Sequence, residues 1–208
     1  REDGIPEIYT AIAYGTRKFM DLCRVKKVVV GISGGIDSAV VASIYRQLLK
    51  PEDLLLVNMP GKFNSRTTRN LAAELAANLG AFYAEVPIQE SVDVTRKQID
   101  QLAIRNTDSS LTRKLELSGF MMENVQARDR SARVLAAMAA AFGGVFTCNA
   151  NKSEATVGYS TLYGDLAGYF ANIADLWKTE IYALAKHINE RVFKKNVIPQ
   201  GCMTVTPS

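Results

Sequence analysis

The run "VVVGISGGIDSAVV", Val28 to Val41, sets an apolar segment ahead of Ser33-Gly34-Gly35 and an acid, Asp37, just behind them. Glycines at a strand-to-helix junction let backbone N–H groups close on an anion at a helix N-terminus. Two familiar phosphate loops fail here on residue type. A Walker loop needs a lysine after its last glycine, and Ile36 stands there. A dinucleotide fingerprint needs GxGxxG and an acid at the end of the following strand. The glycines instead fall at Gly31, Gly34 and Gly35, and Asp53 stands at the start of its strand. What remains is Ser-Gly-Gly-x-Asp-Ser, from Ser33 to Ser38. Ser33 and Ser38 offer hydroxyl donors. Ionised Asp37 has nothing to donate to phosphate, but it can hold Mg²⁺, which bridges to phosphate oxygens. A loop that grips an outgoing pyrophosphate through N–H groups and a metal suits attack at an α-phosphorus. That chemistry is adenylation, not γ-phosphoryl transfer.

A second constellation lies in "NKSEATVGYSTLYGDLAG", Asn151 to Gly168. Glu154 follows an expected strand on the same sheet edge as Asp37, so the two carboxylates can share a divalent ion. Asp165 follows on a Gly-rich turn. Lys178 opens the next helix and can neutralise phosphate charge. On spacing alone, Glu154 and Asp165 read more readily as solvated loop acids than as functional groups, and Lys178 as a surface lysine.

Bringing these residues together requires a frame of alternating elements. Apolar periodicity predicts a helix over 6–23 and a buried strand over 26–32. A second helix ends near Lys50-Pro51, a stop signal. Strands over 53–59 and 81–88 flank a helix over 66–80 that Gly80 closes. The run 89–133 is polar and mostly helical, interrupted by "NTDSS". A buried helix over 134–144 feeds a fourth strand over 145–149, and a last clear helix covers 178–191. This alternation implies right-handed βαβ units: an α/β fold with an open, mainly parallel, doubly wound sheet and helices on both faces. Ligands in such sheets bind at the carboxyl ends of the strands, so the loops after Ile32, Met59, Ile88 and Asn149 should face the site.

The totals narrow the classes. With 208 residues and 48% hydrophobic content, the chain suits one domain over 1–208 with a sizeable core. The net charge of +4 is scattered, which argues against a nucleic-acid footprint and fits a small anionic ligand. The three cysteines, Cys23, Cys148 and Cys202, are far apart and form neither a disulfide frame nor a zinc pair. A reducing, cytoplasmic setting is expected. His187 is the single histidine, which leaves no His-based triad. The longest apolar stretch, Val134 to Phe146, is short for a membrane span and broken by Gly143-Gly144. No secretory leader is expected, and the opening on Arg1 suggests part of a longer chain.

The Ser33-to-Ser38 loop resembles the PP-loop of the ATP pyrophosphatase superfamily. That superfamily includes NAD, GMP, asparagine and argininosuccinate synthetases and tRNA thiolation or lysidine enzymes, and the loop alone does not choose among them. The 151–168 stretch, with "KT" opening the helix at Lys178, resembles NAD synthetase, in particular the synthetase domain of the glutamine-dependent enzymes. "ENVQARDR" (Glu123 to Arg130), "MPGKFNS" (from Met59) and the final "TVTPS" resemble further segments of that family, in its order. The resemblance implies that Gly31, Ser33, Gly34, Gly35, Asp37 and Ser38 hold ATP phosphates, with Asp37 and Glu154 on Mg²⁺. It places Met59 and Asn149 beside ATP, and Lys178 and Ser208 on its phosphates. It assigns Asn124, Arg128, Glu154 and Asp165 to deamido-NAD, with Asp37, Glu154, Asp165 and Lys178 as the catalytic set. Asn149 stands where a Thr often contacts ATP, and Leu162 stands where the stand-alone ammonia-dependent branch has a lysine. The implied reaction is Mg²⁺-dependent, ATP-driven amidation of deamido-NAD by ammonia, with AMP and pyrophosphate released. The implied assembly is a homodimer whose apolar contacts come from the opening helix and the 123–143 region, with a glutaminase domain in a parent chain. Two alternatives remain: another PP-loop ligase, or a nucleotide-binding fragment that is catalytically incomplete.

Overall fold

The computed structural model of the chain describes residues 4–62, 65–108 and 110–204. Ser208, Phe63 and Asn64 lie outside them, and with them parts of the "TVTPS" and "MPGKFNS" segments. In chain order come α1 (Ile5–Cys23), β1 (Val28–Gly31), α2 (Ile36–Leu48), β2 (Leu54–Asn58), α3 (Arg66–Leu79) and β3 (Phe82–Glu85). Then follow α4 (Gln89–Ile99), β4 (Ala103–Arg105), β5 (Thr112–Lys114), α5 (Gly119–Arg128), a π-helical stretch (Asp129–Leu135) and α6 (Ala136–Phe142). The chain continues through β6 (Val145–Phe146), α7 (Lys152–Val157), α8 (Lys178–His187), a second π-helical stretch (Ile188–Val192) and α9 (Gln200–Thr204).

The main sheet is parallel, in the order β3-β2-β1-β6. Its central strands are apolar and buried on both sides, as helix-covered parallel strands must be. Side chains alternate between two cores. Val28, Val30, Leu54 and Leu56 join Ile32 and the buried faces of α2, α3 and α8. Val29, Leu55 and Val57 join Met59 and residues of α4, α5 and α6. The expected doubly wound architecture is therefore observed. Local signals set several ends. Ser65 caps α3 by accepting from Thr68 N at 3.1 Å, and Gly80 closes it at φ 64°. His187 ends α8 against the Tyr9 ring, with centroids 5.5 Å apart, a structural position.

Three segments depart from the expectation. The polar run contains an antiparallel pair of strands, β4 with β5, on either side of the "NTDSS" sequence. Both strands are exposed, so no buried face marked them in the sequence. The 134–144 helix is half-buried, not buried. Val134, Leu135 and Ala139 face the core, while Ala137, Ala140 and Ala141 are exposed. The fourth strand is short: Val145 and Phe146 pair with β1, and Thr147 N donates to Val29 O at 3.2 Å. Beyond it Cys148 turns to a neighbouring segment, donating its N–H to Phe170 O at 3.1 Å. That turn carries Asn149 to Glu154 across the end of β1. No helix among the described residues is long and apolar enough to cross a membrane.

Candidate active site

The chain moves outward from β1 through β2 to β3, then returns to the far side of β1 as β6. The strand order reverses there, and a crevice opens at the carboxyl ends of β1 and β6. The Ser33-to-Ser38 loop sits at this point. Ile32 N donates to Val57 O at 2.8 Å, and Asn58 Nδ2 donates to Ile32 O at 2.6 Å. These bonds fix the start of the loop to β2.

The loop's residues divide into scaffold and donor. Gly34 has φ 85° and lies against the first turn of α3, where an added Cβ would stand 2.2 Å from Thr68 O. Ser38 is buried and closes the turn: its Oγ accepts from Ser33 N at 3.3 Å and donates to Gly35 O at 3.1 Å. The single Ser38 proton is thus used inside the loop, so its geometry here is that of a staple and not of a phosphate donor. Ser33 Oγ accepts from Gly35 N at 3.2 Å, which leaves its own proton for an incoming group. Gly35 is the N-cap of α2 and gives that helix no side-chain cap. The first N–H groups of α2 are therefore left without a side-chain cap.

Asp37, in the first turn of α2, draws three distant segments together. Its Oδ2 is ion-paired with Lys178 Nζ, in the first turn of α8. Its Oδ1 accepts from Asn151 Nδ2 at 2.9 Å. Asn151 in turn caps α7: Glu154 N donates to Asn151 Oδ1 at 3.0 Å, and Asn151 N donates to Glu154 Oε2 at 3.1 Å. Lys178 N donates to Ser153 Oγ at 3.0 Å, joining the starts of α7 and α8. Burial raises the Glu154 pKa. The Asn151 N–H opposes this, the Asp37 charge adds to it, Lys178 opposes it, and Asp165 adds a further rise.

The second half of the site is the 161–165 turn packed on α5. Asp165 Oδ1 accepts from Thr161 N at 2.8 Å. Thr161 Oγ1 donates to Asn124 Oδ1 at 2.8 Å, and Arg128 Nε donates to Leu162 O at 3.1 Å. Ser131 Oγ donates to Gly164 O. Asn124 and Arg128 from one motif and Asp165 from another therefore share one surface. Two other singled-out residues are turned inward. Met59 is buried, and its Cε lies against the Gly31 position. Asn149 joins the strands, donating from Nδ2 to Gly31 O at 2.8 Å and accepting at Oδ1 from Thr147 Oγ1 at 2.8 Å.

Sequence reasoning passed over two participants. Asn151 stood inside a recognised motif but carried no role of its own. Arg130 is half-buried and donates from Nε to Met59 O at 3.2 Å. Burial lowers its pKa, and Asp129 works against that. The motif "ENVQARDR" holds two arginines, Arg128 and Arg130, and gives no sequence signal of which one turns inward.

Among the described residues, no three or more His, Cys, Asp or Glu side chains are grouped to hold a metal. Asp37 and Glu154 offer a smaller set, a pair of hard carboxylates whose charges already act on one another. A pair of this kind fits Mg²⁺, which keeps several waters and takes further oxygens from substrate phosphates.

A doubly wound α/β sheet with a Ser-Gly-Gly loop and an acid at its switch point is the PP-loop architecture. Residues 8–208 match the family described as NAD synthase. The chain belongs to the NAD synthase family, so the resemblance seen in the sequence holds. A glutamine-dependent NAD(+) synthetase of Aquifex aeolicus is 37% identical over 200 residues, covering 91% of this chain and 33% of the relative. The solved glutamine-dependent NAD+ synthetase of Acinetobacter baumannii, in complex with ADP, superposes with TM-score 0.85 at 30% identity. That match covers 98% of this chain and 36% of the other. The NH3-dependent NAD synthetase of Campylobacter jejuni, in complex with nitrate, gives TM-score 0.76 at 31% identity, covering 93% of this chain and 76% of that one. The chain spans about a third of the length of the curated relatives it matches.

Proposed function

We propose that this chain is the synthetase domain of an NAD-forming ligase, which amidates deamido-NAD at the expense of ATP. The observation that carries the reading is the meeting of Asp37, Asn151, Glu154 and Lys178 at one sheet edge, with Asp165 near enough for its charge to act on Glu154. In the first step the nicotinate carboxylate attacks the α-phosphorus of ATP, a P–O bond breaks, and pyrophosphate leaves. In the second, ammonia attacks the adenylated carbonyl, the C–O bond to AMP breaks, and the nitrogen loses a proton. Asp37 and Glu154 are the residues to hold Mg²⁺, which supplies charge neutralisation to the phosphate oxygens when bound.

The loop N–H groups and Ser33 receive the phosphates. Lys178 reaches the same region on a side chain long enough to exchange Asp37 for a phosphate oxygen. Arg128 presents a fork suited to a substrate phosphate or carboxylate, and Asp165 is assigned to orient the incoming ammonia. The protein positions groups and offsets charge, and no side-chain nucleophile is needed. We assign ammonia as the immediate nitrogen source, either free or delivered by a glutaminase domain. We assign one domain over 1–208, a homodimer, and a cytoplasmic location.

The test follows AMP and pyrophosphate release with ATP, Mg²⁺, ammonium and deamido-NAD, leaving out each in turn. Continued release of both is expected to require every component, with at most one turnover of pyrophosphate when ammonium is left out. Pyrophosphate release that proceeds without deamido-NAD would overturn the assignment.

A further inference from the structure

We propose that Asn151 is a positioning residue that presets Asp37 and Glu154 for a shared divalent ion; this rests on the function proposed above. The side chain is fully buried, at 0% exposure, so water does not substitute for its contacts. Its orientation is chemically fixed. The Glu154 backbone N–H can only donate, so the atom facing it at 3.0 Å must be the amide oxygen. The amide nitrogen therefore faces Asp37 Oδ1, at 2.9 Å. The Asn151 backbone N–H meets Glu154 Oε2 at 3.1 Å. One residue thus touches both carboxylates, the first through its side chain and the second through its main chain.

Two acids placed to share a cation repel each other until it arrives. Lys178, resting on Asp37 Oδ2, eases that repulsion but occupies an oxygen the metal would use. A neutral amide donor holds Asp37 at one oxygen without cancelling its charge. The residue itself has little freedom, because the next N–H, of Lys152, donates to Leu176 O at 2.9 Å and Ser153 supports the start of α8. Through the capping box the Asn151 main chain also holds the Glu154 carboxylate, so both ligands depend on one buried residue.

Serine separates the two tasks. In N151S the short hydroxyl still caps α7, but it does not reach Asp37. Binding of Mn²⁺ with ATP, read by electron paramagnetic resonance of free Mn²⁺, is expected to weaken about tenfold. The Mg²⁺ concentration giving half-maximal turnover is expected to rise by a similar factor, with activity largely restored by excess Mg²⁺. A residue that only stabilised the fold would show no rescue by metal. The unliganded melting temperature and circular dichroism report on folding, and N151T, which caps without reaching Asp37, replaces N151S if the latter does not fold. Wild-type Mn²⁺ affinity in N151S, alongside loss of binding in D37N, would overturn the proposal and leave the proposed function standing. Absence of Mn²⁺–ATP binding in the wild-type protein would overturn both.

Discussion

Replacing Gly34 and Gly35 one at a time with alanine separates two glycines that look alike in the sequence. At Gly34 the backbone has φ 85°, and a built Cβ would lie 2.2 Å from Thr68 O and 2.9 Å from Thr68 C. Those atoms are main chain in the first turn of α3 and do not rotate aside. The left-handed conformation costs about 1–2 kcal/mol for a residue with a Cβ, and forcing an extra methyl into packed structure costs about 1–3 kcal/mol more. G34A should therefore lose about 2–5 kcal/mol, or about 4–20 °C in melting temperature for a domain of this size. At Gly35 φ is −91°, and the only close atom is Ser33 Oγ at 3.3 Å, the end of a rotatable side chain. G35A should cost at most about 1 kcal/mol, the difference between Gly and Ala at an N-cap. Thermal or urea unfolding of the two variants measures this directly. ATP-dependent stabilisation should also vanish in G34A, because relieving the clash moves the loop off α3. Equal stabilities for G34A and G35A, or a G34A protein that melts and binds ATP like wild type, would refute the packing argument.

Other outcomes follow from the same site and core. The Glu154 pKa is raised, chiefly by burial and then by the Asp37 charge once the opposing Asn151 N–H is counted. Its contribution to stability is thus fully present below the unfolded-state pKa and is lost as pH rises through the folded one. E154Q, which keeps the capping-box acceptor, should flatten that part of the pH–stability curve. It should raise the metal-free melting temperature at neutral pH while weakening Mg²⁺ binding. A lower melting temperature at neutral pH with an unchanged pH slope would contradict the assignment. Cysteine labelling should be sharply divided. Cys23 is exposed, whereas burial pushes up the Cys148 thiol and takes the Cys202 thiol to about 12. Iodoacetamide at neutral pH should modify Cys23 quickly and the other two only after denaturant is added, as mass spectrometry would show.

The elements that came through clearly in the sequence are those whose signal is burial or a local cap. β1 and β2 are apolar runs because helices cover both of their faces. The end of α3 was legible because Gly80 supplies the left-handed turn that closes it. The β4–β5 pair was not, since its strands are exposed and held by backbone bonds such as Gln101 N to Leu115 O at 2.8 Å. The shortness of β6 was hidden as well. Its residues are apolar enough to continue a strand, but Cys148 pairs with another segment.

The chemistry divides along the same line. Residue types and order were enough to give a glycine-rich phosphate-type loop, the candidate acids Asp37, Glu154 and Asp165, and a family. They follow from side-chain chemistry, which a sequence states outright. Partnerships did not. That Ser38 closes its own loop, that Gly34 but not Gly35 touches α3, and that Lys178 rests on Asp37 depend on where distant segments meet. Asn151 belongs to the same group, because its role exists only once the β1/β6 switch point brings Asp37 within 2.9 Å of its amide.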